Sequence, residues 1–218
     1  ADDDCDGTVD NGVDASMCPP PVQVTTTDCV GGLCTITACL ASWYDTNRTY
    51  IDGCECQQEA NEATSYGCPA HLKDLGDMSD AGSSQLVRGN IVPDTDVDWY
   101  VFRAVDTNDT SCDQFHVVIE FTSNAGSAHS FDVYRGPEAD DCLSLAECLN
   151  EKLKYERAMD FRTGSGSSAV GECGCRTTQT YNYNMCVNET EYFFVKVYRT
   201  VPATTCDYYE LRIQNNPA

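Results

Sequence analysis

The sequence predicts a mainly β protein: a small N-terminal module stapled by disulfides and calcium, then an antiparallel, jelly-roll-like β-sandwich carrying one inserted helix. Three observations support this. Fifteen cysteines occur in 218 residues, and eight of them fall within residues 1–68. From about residue 85, apolar and polar residues alternate with a period of two, as on the two faces of a strand. One later segment replaces that alternation with apolar spacings of three and four.

Residues 1–68 form the first module, with Cys5, Cys18, Cys29, Cys34, Cys39, Cys54, Cys56 and Cys68. Apolar periodicity there is short and broken, so cystine is expected to make up much of its core. A hairpin is expected around Cys29–Cys39, with Val30-Gly-Gly-Leu33 as its turn. Residues 69–84 read as a linker or a lead-in strand, and 85–218 as the sandwich. In the sandwich Trp99, Val101 and Arg103 face opposite to Tyr100, Phe102 and Ala104. Phe115, Val117, Ile119 and Phe121 make a second apolar face, followed by Phe131 and Val133, by Phe193, Val195 and Val197, and by Tyr209, Leu211 and Ile213. The helix is expected at about 141–158, where Cys142, Leu145, Leu149 and Leu153 share one helical face. Gly164–Ser168 reads as a loop tip.

The chain bears a formal net charge of −22, which disfavours nucleic acid and anionic membrane as partners. Residues 1–80 hold 15 acids against two bases, Arg48 and Lys73, a repulsion that divalent cations would relieve. No apolar run reaches the roughly 20 residues that span a bilayer, so membrane insertion is not expected. Ala1 reads as a mature N-terminus left by a removed signal peptide. The remaining cysteines are Cys112, Cys142, Cys148, Cys173, Cys175, Cys186 and Cys206. Such density in Gly/Asn/Asp/Thr-rich surroundings implies disulfides and a secreted, extracellular or cell-surface location. The odd count leaves at least one cysteine free or joined to another chain. Zinc fits poorly, since His71, His116 and His129 lie far from cysteine pairs. Glycosylation sequons stand at Asn47, Asn108 and Asn188.

The first residues hold the most specific chemistry. Asp2, Asp4, Asp6 and Gly7 spell D-x-D-x-D-G, in which alternate carboxylates on a turning chain converge on one hard cation. This motif resembles thrombospondin type 3 repeats, and more closely the C-D-G-x-x-D motif of secreted myxobacterial proteins. The resemblance implies metal ligation by Asp2, Asp4, Asp6 and Asp10, with the Thr8 carbonyl. Val13 stands where an EF-hand has its bidentate Glu, so Asp14 or a neighbouring segment would complete the shell. Cys29 to Cys56 looks like the second half of the same family pattern. There Asp45, Asn47, Asp52 and Glu55 could cradle a second calcium, or serve as Asx-turns pinned by disulfides. Residues 85–215 resemble the bacterial pre-peptidase C-terminal domain, a jelly-roll-like sandwich. The resemblance rests on Asp94-Thr-Asp96-Val-Asp98-Trp99-Tyr100-Val-Phe102, Phe131-Asp132-Val-Tyr134 and Tyr192–Tyr198. It adds Asp94, Asp96 and Asp98 as candidate calcium ligands.

G-x-S-x-G, H-E-x-x-H and C-x-x-C are absent, and His116 and His129 read as surface residues, so no catalytic residues are assigned. Hard carboxylates without nearby His or Met suit calcium better than copper. The sequence therefore reads as a non-catalytic, calcium-stabilised extracellular structural or adhesive protein, such as a fibre subunit. It would associate with itself or with matrix and cell-surface partners. The alternative is a carbohydrate- or matrix-binding module, with Trp43, Tyr44, Tyr181, Tyr183, Tyr208 and Tyr209 as a stacking face; a secreted hydrolase ranks below both.

Overall fold

The computed structural model of the chain describes residues 18–59, 68, 72–107, 115–140, 142, 145–158 and 190–216. The chain divides into two compact units. One comprises the described residues of Ala1–Glu62 with Asn90–Asp96 and Val201–Asp207, the other those of Ala63–Gly89, Val97–Thr200 and Tyr208–Ala218.

In the first unit, strands β1 (Val24–Val30) and β2 (Leu33–Cys39) pair antiparallel. Val30 lies opposite Leu33, so Gly31 and Gly32 alone form the turn, with φ of +63° and +79°. Two consecutive positive φ values suit glycine, and this is the hairpin expected from Val30–Leu33. Strands β3 (Trp43–Tyr44) and β4 (Cys56–Gln57) then close a loop that holds a short 3-10 turn, Tyr50–Asp52. Disulfides join Cys18 to Cys34, Cys39 to Cys54 and Cys56 to Cys206. Cys18, Cys54 and Cys56 are buried, so cystine does form much of this core. Loops of 15 and 16 residues closed in this way each gain about 3 kcal/mol in the chain-entropy account.

The second unit holds β5 (Lys73–Ser79), β6 (Ser83–Gly89), β7 (Val97–Val105), β8 (His116–Asn124), β9 (His129–Gly136), β10 (Leu145–Glu151), β11 (Lys154–Ala158), β12 (Glu191–Arg199) and β13 (Tyr209–Asn215). They form a five-stranded sheet in the order β10-β9-β12-β7-β5 and a four-stranded sheet in the order β11-β8-β13-β6. Every pairing is antiparallel except the edge pair β5–β7, which is parallel. Between the sheets Phe131 meets Phe121 edge-on at 5.2 Å, and within the five-stranded sheet Phe102 stacks on its cross-strand neighbour Phe193 at 5.3 Å. Trp99, Val101 and Phe194, on the opposite face of the five-stranded sheet, are buried in a second cluster with Cys142. Cys142 is bonded to Cys68, so a disulfide covers this outer face and β7 buries side chains on both of its faces.

The expected helix at 141–158 is not present: 145–151 and 154–158 are the strands β10 and β11. Leu145, Leu149 and Leu153 are 49%, 60% and 73% exposed, so their helical spacing has no core to serve. The turn is set instead by Glu151, whose Oε1 accepts the backbone N–H groups of Lys152, Leu153 and Lys154. Asn150 helps by adopting φ +58°. His129 also departs from expectation. It is fully buried, with its ring 5.4 Å from that of Tyr209 and its backbone N–H donating to Asn124 Oδ1.

β10 and β11 belong to different sheets, and Glu147 ties them together. Its carboxylate accepts from Arg135 at 2.7 Å, Arg157 at 3.0 Å and the Tyr155 hydroxyl at 3.3 Å, while Arg135 also pairs with Glu191. Burial alone would raise the Glu147 pKa, but the Arg135 and Arg157 charges hold it below the ordinary value. A lowered folded-state pKa adds stability above the unfolded glutamate range and loses it as pH falls through the folded value. Glu147→Gln is therefore expected to cost about 2–3 kcal/mol at neutral pH and much less in acid, because it takes the carboxylate from Arg157 and leaves the buried Arg135 with Glu191 alone. Melting curves of both proteins across the acid range check this.

Candidate cation site

Strands β3 and β4 and the Cys39–Cys54 bridge hold the loop 45–55 at both ends. Inside it, Asp45 Oδ1 accepts the Arg48 N–H at 2.6 Å and Asn47 Oδ1 accepts the Thr49 N–H at 2.7 Å, two overlapping side-chain turns. Asn47 Nδ2 donates to Asp52 Oδ2 at 2.8 Å. Glu55 reaches back across the loop. Its Oε1 accepts the N–H groups of Thr46 and Asn47 at 3.1 and 3.2 Å and the Thr46 hydroxyl. Its Oε2 is enclosed and meets no donor among the described residues. Burial raises the Asp45 pKa, and the charges of Glu55 and Asp52 push it further up.

Of the two readings of this loop, the side-chain turns are present. They concentrate three carboxylates whose repulsion is unrelieved by any base in the loop except the exposed Arg48. Among the described residues, Glu55, Cys56 and Cys206 form a group with metal-ligand composition, their ligand atoms within 4.8 Å of one another. This group could hold a metal ion. Its sulfurs are joined in a disulfide, which withholds thiolate ligation and leaves the Glu55 carboxylate as the strong donor.

A groove of about 430 Å³ runs beside the loop, lined by Asp45, Asn47 and Asp94 among others. In the sequence these residues belong to separate motifs; in the structure one groove unites them. Asp94 is fixed by accepting the Ala203 N–H at 2.7 Å. Asp96 is buried, its N–H donating to the Pro93 carbonyl at 2.9 Å. Asp98 has a different role. It belongs to the second unit, where it accepts a hydrogen bond from the buried Tyr209 hydroxyl, which Tyr100 approaches at 2.6 Å. That network pushes the Tyr209 pKa well up, through burial and the Asp98 charge.

The Asp2, Asp4, Asp6, Thr8, Asp10 and Asp14 set lies outside the described residues, as do Asn108, Asn188, Tyr181, Tyr183, Cys5, Cys112, Cys173, Cys175 and Cys186. Asn47 is exposed. Cys29 is also disulfide-bonded, whereas Cys148 is a free, half-buried thiol, which corrects its expected place among the bridges and fits the odd cysteine count.

Compared with known families and curated proteins, the chain matches no family model and no curated sequence. The fold and the site must therefore carry the functional reading. The bridges suit an oxidising, extracellular setting. No helix among the described residues is long and apolar enough to cross a membrane.

Proposed function

We propose that this chain is a secreted, non-catalytic structural or adhesive protein whose disulfide-pinned loop 45–55 binds calcium. The observation that supports it most is Glu55: one carboxylate oxygen accepts from three donors, while the other is enclosed with no partner among the described residues, in a loop whose Asp45 feels the charges of both Glu55 and Asp52. Oxygen-only donors of this kind suit calcium, at the sub-millimolar to millimolar affinities of extracellular modules. Asp45, Asn47, Asp52 and Glu55 are the residues that would hold the ion, with Asp94 across the adjoining groove. The D-x-D-x-D-G motif of residues 2–7 is proposed as a further calcium loop. The resemblances to secreted myxobacterial proteins and to the pre-peptidase C-terminal sandwich agree with this reading.

Calcium is expected to raise the melting midpoint of the oxidised protein by several °C, since a ligand at about 100 times its Kd adds roughly 2.7 kcal/mol. Light scattering with electron microscopy then tests assembly. Ordered calcium-dependent polymers support a structural subunit, and a monomer in both calcium and chelator removes it. A second reading, carbohydrate binding, draws on a groove of about 690 Å³ lined by Trp43, Tyr44 and Tyr50 with Asp45 and Arg48. Glycan-array retention by a calcium-loaded monomer would promote it.

A further inference from the structure

We infer that a second hard-cation site lies in the sandwich unit, at the end of the parallel pair β5–β7, held by Asp80 and Asp106. Neither residue belongs to an acidic motif of the sequence; the fold alone brings them together. The parallel register pairs Met78 with Ala104 and Ser79 with Val105. One further step sets Asp80 opposite Asp106, about 4.8 Å apart at the ordinary strand spacing. The ladder supports that step, because the Asp80 N–H donates to the Val105 carbonyl at 3.2 Å. Its next rung is replaced by a side chain: Thr107 N–H donates to Asp80 Oδ2 at 2.6 Å.

Both acids are withdrawn from water, Asp80 being 1% and Asp106 8% exposed. Like charges opposite one another on neighbouring strands destabilise a sheet, and burial raises that cost. Among the described residues, Asp80 Oδ1 is enclosed and has no hydrogen-bond partner. That oxygen is the second, independent feature: a fully buried carboxyl oxygen without a donor among the described residues. A cation beside it answers both observations.

The surroundings hold the pair in place. Asn215 Nδ2 donates to the Met78 carbonyl at 3.0 Å and to the Val105 carbonyl at 3.3 Å, fixing the two strands just before the acids. Thr190 Oγ1 accepts the Asp106 N–H at 2.9 Å and brings a further oxygen to the same strand end. Among the described residues this strand end offers carboxyl and hydroxyl oxygens, a set that selects a hard divalent ion, and calcium tolerates such irregular geometry better than magnesium.

The site is independent of the loop at Glu55, and the test separates the two. Native mass spectrometry counts calcium ions on the oxidised wild type, on Asp80→Asn and on Glu55→Gln. Asn at 80 keeps an oxygen for the Thr107 N–H, so the fold is expected to survive. Asp80→Asn is expected to bind one calcium fewer than wild type, and to show a smaller calcium-induced rise in melting midpoint. An unchanged ion count overturns the inference. So does an Asp80→Asn midpoint raised equally in calcium and in chelator, the mark of a buried acid without a ligand. Should that variant not fold, the wild-type Thr107 amide decides: calcium is expected to shift its NMR resonance and slow its exchange, and an amide indifferent to calcium refutes the site. Loss of an ion in Glu55→Gln alone sustains the loop and removes this site; loss in Asp80→Asn alone does the reverse.

Discussion

Replacing Gly53 by alanine is expected to dismantle the first unit. Gly53 has φ +79° and ψ −143°, close to a region that only glycine occupies comfortably. A Cβ there would also run into the Val22 carbonyl, with the Val22 carbon and nitrogen each 3.0 Å away. That carbonyl cannot retreat freely, because it accepts the N–H of Cys54 at 3.0 Å. Strain of about 1–3 kcal/mol adds to a comparable overpacking cost against backbone. The same movement would displace Cys54 from Cys39 and Glu55 from Thr46. Disulfide mapping of Gly53→Ala should show Cys39–Cys54 formed incompletely, together with weakened calcium binding. A variant with native bridges and melting would contradict this account of the loop.

Gly89→Ala is expected to be the most damaging single methyl in the sandwich. Gly89 pairs directly with Tyr209 across β6 and β13, and a Cβ would meet the Tyr209 hydroxyl, with Tyr209 Cζ and Asp98 Oδ2 each at 2.7 Å. Tyr209 is fully buried, and its hydroxyl links Asp98 to Tyr100, so it cannot swing aside without breaking both bonds. A cost of about 2–4 kcal/mol follows from overpacking plus a disturbed buried network. Tyr209→Phe alone should cost about 1–3 kcal/mol, because it leaves Asp98 and Tyr100 short of a partner. In the double variant the hydroxyl clash is gone while the Cζ contact stays. The two losses should therefore add to less than their sum, a coupling that denaturant melts of all four proteins would measure.

Much of the sandwich is legible in the sequence because burial there follows local pattern. Phe115–Phe121, Tyr192–Tyr198 and Tyr209–Ile213 alternate as their strands do, and Gly31-Gly32 announces the first hairpin through the φ values only glycine takes easily. The 141–158 segment misleads because Leu145, Leu149 and Leu153 are spaced for a helix yet face outward, where spacing carries no information about packing. The parallel placement of β5 is hidden, since a lone edge strand reads alike in either direction. His129 reads as a surface residue because its burial depends on Tyr209, eighty positions later.

Disulfide pairing is illegible for the same reason of range. Cys56 and Cys206 are 150 residues apart in sequence, and no spacing rule joins them. At the candidate cation sites the sequence supplied ligand types but not their company. Asp45, Asn47, Asp52 and Glu55 stand out as a local cluster, whereas Asp94 joins that groove only through folding. Asp80 and Asp106 carry no motif at all; their opposition arises from strand register.

The most direct test of the central claim is a calcium titration of the oxidised protein beside Glu55→Gln, followed by isothermal calorimetry. Wild type is expected to bind calcium saturably in the sub-millimolar to millimolar range, and Glu55→Gln to lose one equivalent while keeping its disulfides. Identical stoichiometry and affinity in the two proteins, or no calcium binding by either, would contradict the assignment of loop 45–55 as a calcium site.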